Sequence, residues 1–203
     1  MPRLSIEGRT LDVSDGEALA WAIATMISPL EIVAGIHWAL YFAMPGRATS
    51  EFLKTITRCV NQLQENEAVF NDICLLQASN KVLSSLVTIA DAASELLEWQ
   101  RNNVPKKERT AHNQAVKKYG PMEPSWAEDE EFQNRRKQLS LAFSRYLDVL
   151  SQIIPVLQMS MTTASDSLAT QLSRASASIQ QYQEICRVGY QEAVLRACAG
   201  NNA

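Results

Sequence analysis

The amino-acid sequence predicts an all-α protein, an elongated bundle of long antiparallel helices with a short N-terminal β-hairpin. Three observations carry this expectation. No glycine occurs between Gly46 and Gly120, a gap too long for a chain built from many tight turns. Apolar residues recur at steps of three and four along most of the 203 residues, the spacing of one face of an α-helix. Capping and breaking residues fall between the periodic stretches. The length suits one domain, 1–203, with a sizeable core.

The elements follow in order. Leu4, Ile6, Leu11 and Val13 alternate around Glu7-Gly8-Arg9, which predicts a small hairpin over residues 1–14. The stretch RLSIEGRTLDVSDGEAL resembles the opening hairpin and helix of ferredoxin-like redox domains, but no iron-sulfur cysteine spacing follows and nothing is carried over from that family.

Residues 15–45 read as an apolar helical hairpin. Ser14 and Glu17 make a capping box, Ser28-Pro29-Leu30-Glu31 makes a second, and Pro45-Gly46 ends the unit. The stretch from Ala18 to Met44 is long enough to cross a bilayer. Its charge-free halves on either side of Glu31 are 13 residues each, about 20 Å as helix against a hydrocarbon core of about 30 Å. Burial in protein is therefore expected over spanning.

Phe52, Ile56, Val60, Leu63, Phe70, Ile73, Leu76, Leu83, Val87 and Leu97 predict one long helix over 50–100. Asn66 and Asn80 interrupt its stripe, as register-setting polar contacts or as a turn. A polar connector with a short helix occupies 101–126. Its neighbourhood, 101–137, holds nine basic residues against six acids, the latter led by Glu128 to Glu131. Mixed signs make a solvated connector the expected reading.

Leu139, Phe143, Leu147, Leu150, Ile154, Leu157, Leu168, Leu172, Ile179, Tyr182 and Tyr190 predict long helices over 127–198. Pro155 removes a backbone donor, so a kink or break is expected there, with helices near 127–154 and 156–198. The segment rich in Ser, Thr and Ala from Ser160 to Ser178 buries little area per residue and needs a partner helix, in this chain or another copy.

Chemical motifs are sparse. The only histidines are His37, in the apolar unit, and His112, in the connector. His37 could serve as a ligand or pH-sensitive switch with Glu31, but the i, i+6 spacing puts the two on different sides of a helix, and a satisfied core or interfacial histidine is the expected reading. No Glu-x-x-His pair, GxSxG elbow, phosphate loop or dinucleotide fingerprint occurs. The expectation is no enzyme, no cofactor and no metal. Cys59, Cys74, Cys186 and Cys198 lack metal or redox spacing and read as reduced, small apolar residues.

With 19 basic and 22 acidic residues, the chain has no overall attraction to polyanions, so no nucleic-acid partner is expected. The acids before the apolar stretch argue against a secretory signal. The expected location is cytoplasmic, or exported by a route without a cleavable signal peptide.

The functional expectation is a non-enzymatic helical protein acting on other proteins, or as a homo-oligomer, through long apolar faces. Its candidate contact residues are Trp21, Trp38, Tyr41, Phe42, Leu168, Leu172, Ile179 and Tyr182. The alternative is a membrane-active effector that inserts residues 18–44, resembling α-helical pore formers or bundle-type cell-death effectors in architecture only. A further alternative is a divergent small-ligand binder or enzyme.

Overall fold

A computed structural model describes residues 3–6, 9–12, 15–44, 47–65, 73–160, 166–190 and 192. The fold is an all-α bundle of helices in antiparallel contact. Ahead of it, β1 (Arg3–Ile6) pairs with β2 (Arg9–Asp12) in an antiparallel ladder that sets Leu4 opposite Leu11.

The first two helices, α1 (Asp15–Ile27) and α2 (Leu30–Tyr41), do not fold back on each other as a hairpin. Helical hydrogen bonding reaches both sides of the join, from Ser28 N–H to the Ala24 carbonyl and from Val33 N–H to the Pro29 carbonyl. Pro29 itself has helical dihedrals, φ −69° and ψ −14°. Ser28 does not cap α2. Its hydroxyl donates backwards to the Thr25 carbonyl at 3.3 Å, the acceptor that Pro29, having no N–H, leaves without its i+4 donor. The pair is therefore an interrupted rod, not the expected hairpin. It lies against α3, α4, α6 and α7.

The expected single helix over 50–100 is two arms. α3 (Arg47–Glu65) and α4 (Ile73–Asn103) are separate helices that pack on each other. Asn66, one of the two interruptions, falls in the interval between them, outside the described residues, while Asn80 sits exposed within α4. α5 (Lys106–Tyr119) is the short helix of the connector. α6 (Glu130–Ser160) starts at Asp129, whose carboxylate accepts the Phe132 N–H at 3.0 Å and satisfies one orphan donor of the first turn.

α6 runs on through Pro155 to Ser160, so the expected break is absent. Pro155 is exposed, while Ile153, Ile154 and Leu157 around it are buried. The packed face holds the helix together across the missing hydrogen bond, which costs about 3 kcal/mol in an unsupported helix.

α4 and α6 form the spine, each of 31 residues and hence about 46 Å long. They run antiparallel, with Trp99 near the end of α4 against Phe132 at the start of α6, ring centroids 5.5 Å apart. Leu86, Ile89, Ala93 and Leu96 meet Leu139, Phe143, Tyr146, Leu147 and Leu150 in one buried cluster. α7 (Asp166–Val188) lies on α6 and α1 through Leu168, Leu172, Ala175 and Ile179. The described part of the small-residue segment, 166–178, thus packs on helices of the same chain.

Candidate functional site

The polar and aromatic side chains converge where the C-terminal half of α2 meets α6 and the residues after α7. His37 is 2% exposed. Its Nε2 lies 2.9 Å from the Ser140 hydroxyl and its Nδ1 3.0 Å from the Tyr190 hydroxyl. A neutral imidazole has one donor and one acceptor nitrogen, and a hydroxyl can fill either role, so both contacts hold in either tautomer. The ring stacks on Phe143 at 4.5 Å. Burial holds its pKa down at about 3, because the charged form would lose its water.

Gly189 allows this closure. It ends α7 with φ +84°, and the ring of Tyr190 then sits 5.4 Å from His37 and 5.2 Å from Tyr41. Burial, the largest cause, pushes the Tyr190 phenol well above its ordinary pKa.

The end of α2 supplies the second half of the site. Met44 N–H donates to the Ala39 carbonyl at 2.7 Å and Ala43 N–H to the Leu40 carbonyl at 3.1 Å, with Ala43 at φ +53°. This is a Schellman closure with alanine where glycine is usual. It leaves two orphan carbonyls that other helices satisfy. His112 Nε2–H of α5 donates to the Phe42 carbonyl at 2.7 Å, and Arg136 Nη1 of α6 to the Tyr41 carbonyl at 3.4 Å. The bond fixes the proton of His112 on Nε2. Donors at a helix C-terminus also meet the negative end of its dipole. The Arg136 guanidinium lies 4.8 Å over the Tyr41 ring and pairs with Glu123 at 2.7 Å, and the His112 ring meets Trp126 edge-on at 5.3 Å. The polar connector is thereby tied to the apolar rod.

Of the candidate contact residues, Phe42, Leu168, Leu172 and Ile179 are buried within the chain's own core. Phe42 packs against Trp38, Tyr41 and Tyr190, and Leu168, Leu172 and Ile179 lie in the core cluster with α6 residues. Trp38 and Tyr41 are half-buried and pack edge-on against Phe42. Tyr182 donates to the Glu31 carboxylate at 2.6 Å. Its pKa is pushed up to about 12, first by burial and then by the hydrogen bond and charge of Glu31. Trp21 lies on α1, and its side chain is outside the described residues. Glu31 and His37 do not meet; each takes a different partner. Cys59 is buried and free, Cys186 half-buried and free, and burial raises both thiols, to about 11 for Cys186. The side chains of Cys74 and Cys198 are outside the described residues.

Sequence reasoning missed Ser140, Arg136 and the cap from His112, since none lies near its partner in the chain. Among the described residues, no group of three or more His, Cys, Asp or Glu side chains is placed to hold a metal ion. No known protein family, curated protein or solved structure matches this chain.

Proposed function

We propose that the chain is a non-enzymatic helical protein whose work is contact with other proteins or with copies of itself. The observation that carries this reading is where the chemistry-bearing side chains are used. Both nitrogens of His37 and Nε2 of His112 brace one helix against another in the interior. The outer surface offers contact groups instead: Val87 on α4, Leu141 and Val156 on α6 and Tyr119 at the end of α5 remain exposed. The contact surface is the outside of α4, α5 and α6, not the seams already closed by α7. Sedimentation over a wide concentration range, with cross-linking, tests the reading. A mass that rises with concentration supports it, and a strictly monomeric species at the highest concentration, unmoved by candidate partners, refutes it.

One observation favours a second reading, a membrane-active protein. Ala22–Tyr41 is a 20-residue span of mean hydropathy 1.4, and 56% of its apolar window is buried in the bundle. Insertion of this rod requires it to leave α6 and α7 and to give up the bonds of His37 and the Glu31–Tyr182 contact. Leakage from dye-loaded vesicles, lost in Trp38→Glu, is the expected signature. Intact vesicles under all conditions rule the second reading out.

A further inference from the structure

We propose that α5 is a docking arm for a second copy of this chain, and that the surface it grips is the acidic turn 128–131 of that copy. The proposal rests on the reading of the chain as a contact protein and names the partner and the surface.

The charge distribution is the first ground. α5 holds five basic residues against one acid, leaving fourteen basic against twenty-one acidic residues in the rest of the chain. A net-negative molecule therefore carries one concentrated positive element, which its own composition attracts.

The second ground is how little of α5 is used inside the chain. Its buried residues are His112 and Val116. Lys106, Lys107, Lys117 and Lys118 are all exposed, and among the described residues none forms an ion pair. Lys118 lies 4.8 Å over the ring of Tyr119, itself 68% exposed. The two lysine pairs stand eleven residues apart, about 16 Å along the axis. Lys106 and Lys107 also sit in the first turn, where positive charge opposes the helix dipole and does not stabilise the fold.

The third ground is the complement. Glu128, Asp129, Glu130 and Glu131 are all exposed at the start of α6, and no ion pair among the described residues links them to α5. Asp129 caps the helix and Glu131 pairs with Arg135, so Glu128 and Glu130 are the groups a partner would meet. In a twofold pair of copies, the arm of one reaches the acidic turn of the other and the contact repeats in reverse. A bilayer is the poorer occupant, since the exposed face of α5 has Tyr119 as its one large apolar side chain and interfacial insertion needs an apolar face.

A charge swap tests the proposal. Sedimentation in low salt is compared for the wild-type chain, the α5 variant Lys106→Glu/Lys107→Glu/Lys117→Glu/Lys118→Glu, and the turn variant Glu128→Lys/Glu130→Lys. Helix content by circular dichroism confirms that each is folded. The expected result is a wild-type dimer that dissociates at high salt, at least about tenfold weaker association for each variant, and a heterodimer when the two variants are mixed. Dimerisation indifferent to both reversals overturns the role of α5 while leaving the contact reading standing. So does mixing that fails to restore association. A wild-type chain that stays monomeric yet binds phosphatidylserine vesicles through the lysines overturns it in favour of a lipid surface. A monomer that binds neither overturns the proposal and weakens the reading beneath it.

Discussion

Lowering the pH from about 7.5 to about 5 perturbs one interior group whose response follows from its surroundings. His37 has an ordinary pKa of 6.5 and a folded value of about 3, set by burial. Between those values the unfolded chain binds a proton that the folded chain refuses, so unfolding gains as the pH falls. The stability contributed by neutral His37 is therefore whole above about pH 6.5 and declines as the pH drops toward 3. At pH 5 the loss is about 2 kcal/mol, and it grows by about 1.4 kcal/mol for each further unit. Because the ring is 2% exposed and is touched by Ser140, Tyr190 and Phe143, solvent screening offers little relief.

Surface carboxylates titrate over part of the same range, so the assay is a difference. Urea unfolding is followed at both pH values for the wild-type chain and for His37→Gln, which keeps a donor and an acceptor but has no proton to gain. The variant should be the less stable at pH 7.5, having lost the stacked ring. Its decline toward pH 5 should be shallower than the wild-type decline by about 2 kcal/mol. Equal declines would refute the placement of His37 as a sealed neutral imidazole.

Three other substitutions address the remaining supports. His112→Ala removes the donor to the Phe42 carbonyl and should cost about 1–3 kcal/mol in urea unfolding, with faster hydrogen exchange along α5; unchanged exchange would show that the cap does not hold the connector. Pro155→Ala, in an exposed position inside α6, restores a backbone donor and should stabilise by about 1–3 kcal/mol, read as a higher thermal midpoint; destabilisation would mean the helix does not pass through. Gly189→Ala forces a side chain into φ +84° and should cost about 1–2 kcal/mol, with Tyr190 fluorescence reporting a more solvated ring; a neutral result would remove the turn from the account.

What was legible in the sequence is what depends on neighbours in the chain. The stripes of α3, α4 and α6 could be read because their apolar residues repeat at helical spacing with no glycine to interrupt them. Features set by distant partners could not. Ser28-Pro29-Leu30-Glu31 has the composition of a capping box, but Pro29 has no N–H to give the Thr25 carbonyl, and the serine hydroxyl donates backwards to that carbonyl instead. Pro155 reads as a break because its cost is local, whereas the burial that offsets it comes from other elements. His37 was recognisable from its apolar surroundings as a core or interfacial histidine, and the structure buries it. Its partners lie 103 and 153 residues away, and no spacing announces them. Gly189 was the one missed signal within reach, a glycine placed directly before an aromatic residue that must turn back.

His37 also bears on which reading of function applies. It joins α2 to α6 and to the residues after α7, so any event that frees the apolar rod must break its contacts. At neutral pH those contacts favour the closed bundle, in which α5 and the outer faces of α4 and α6 are the surfaces left for a partner. In acid the same imidazole favours release, because its proton can be bound only once the ring reaches water. A membrane-active chain should therefore be silent near pH 7.5 and leak vesicles increasingly toward pH 5, with His37→Gln flattening that rise. A contact protein should show the opposite trend: association strongest where the bundle is most stable, and lost in acid along with the fold that displays α5.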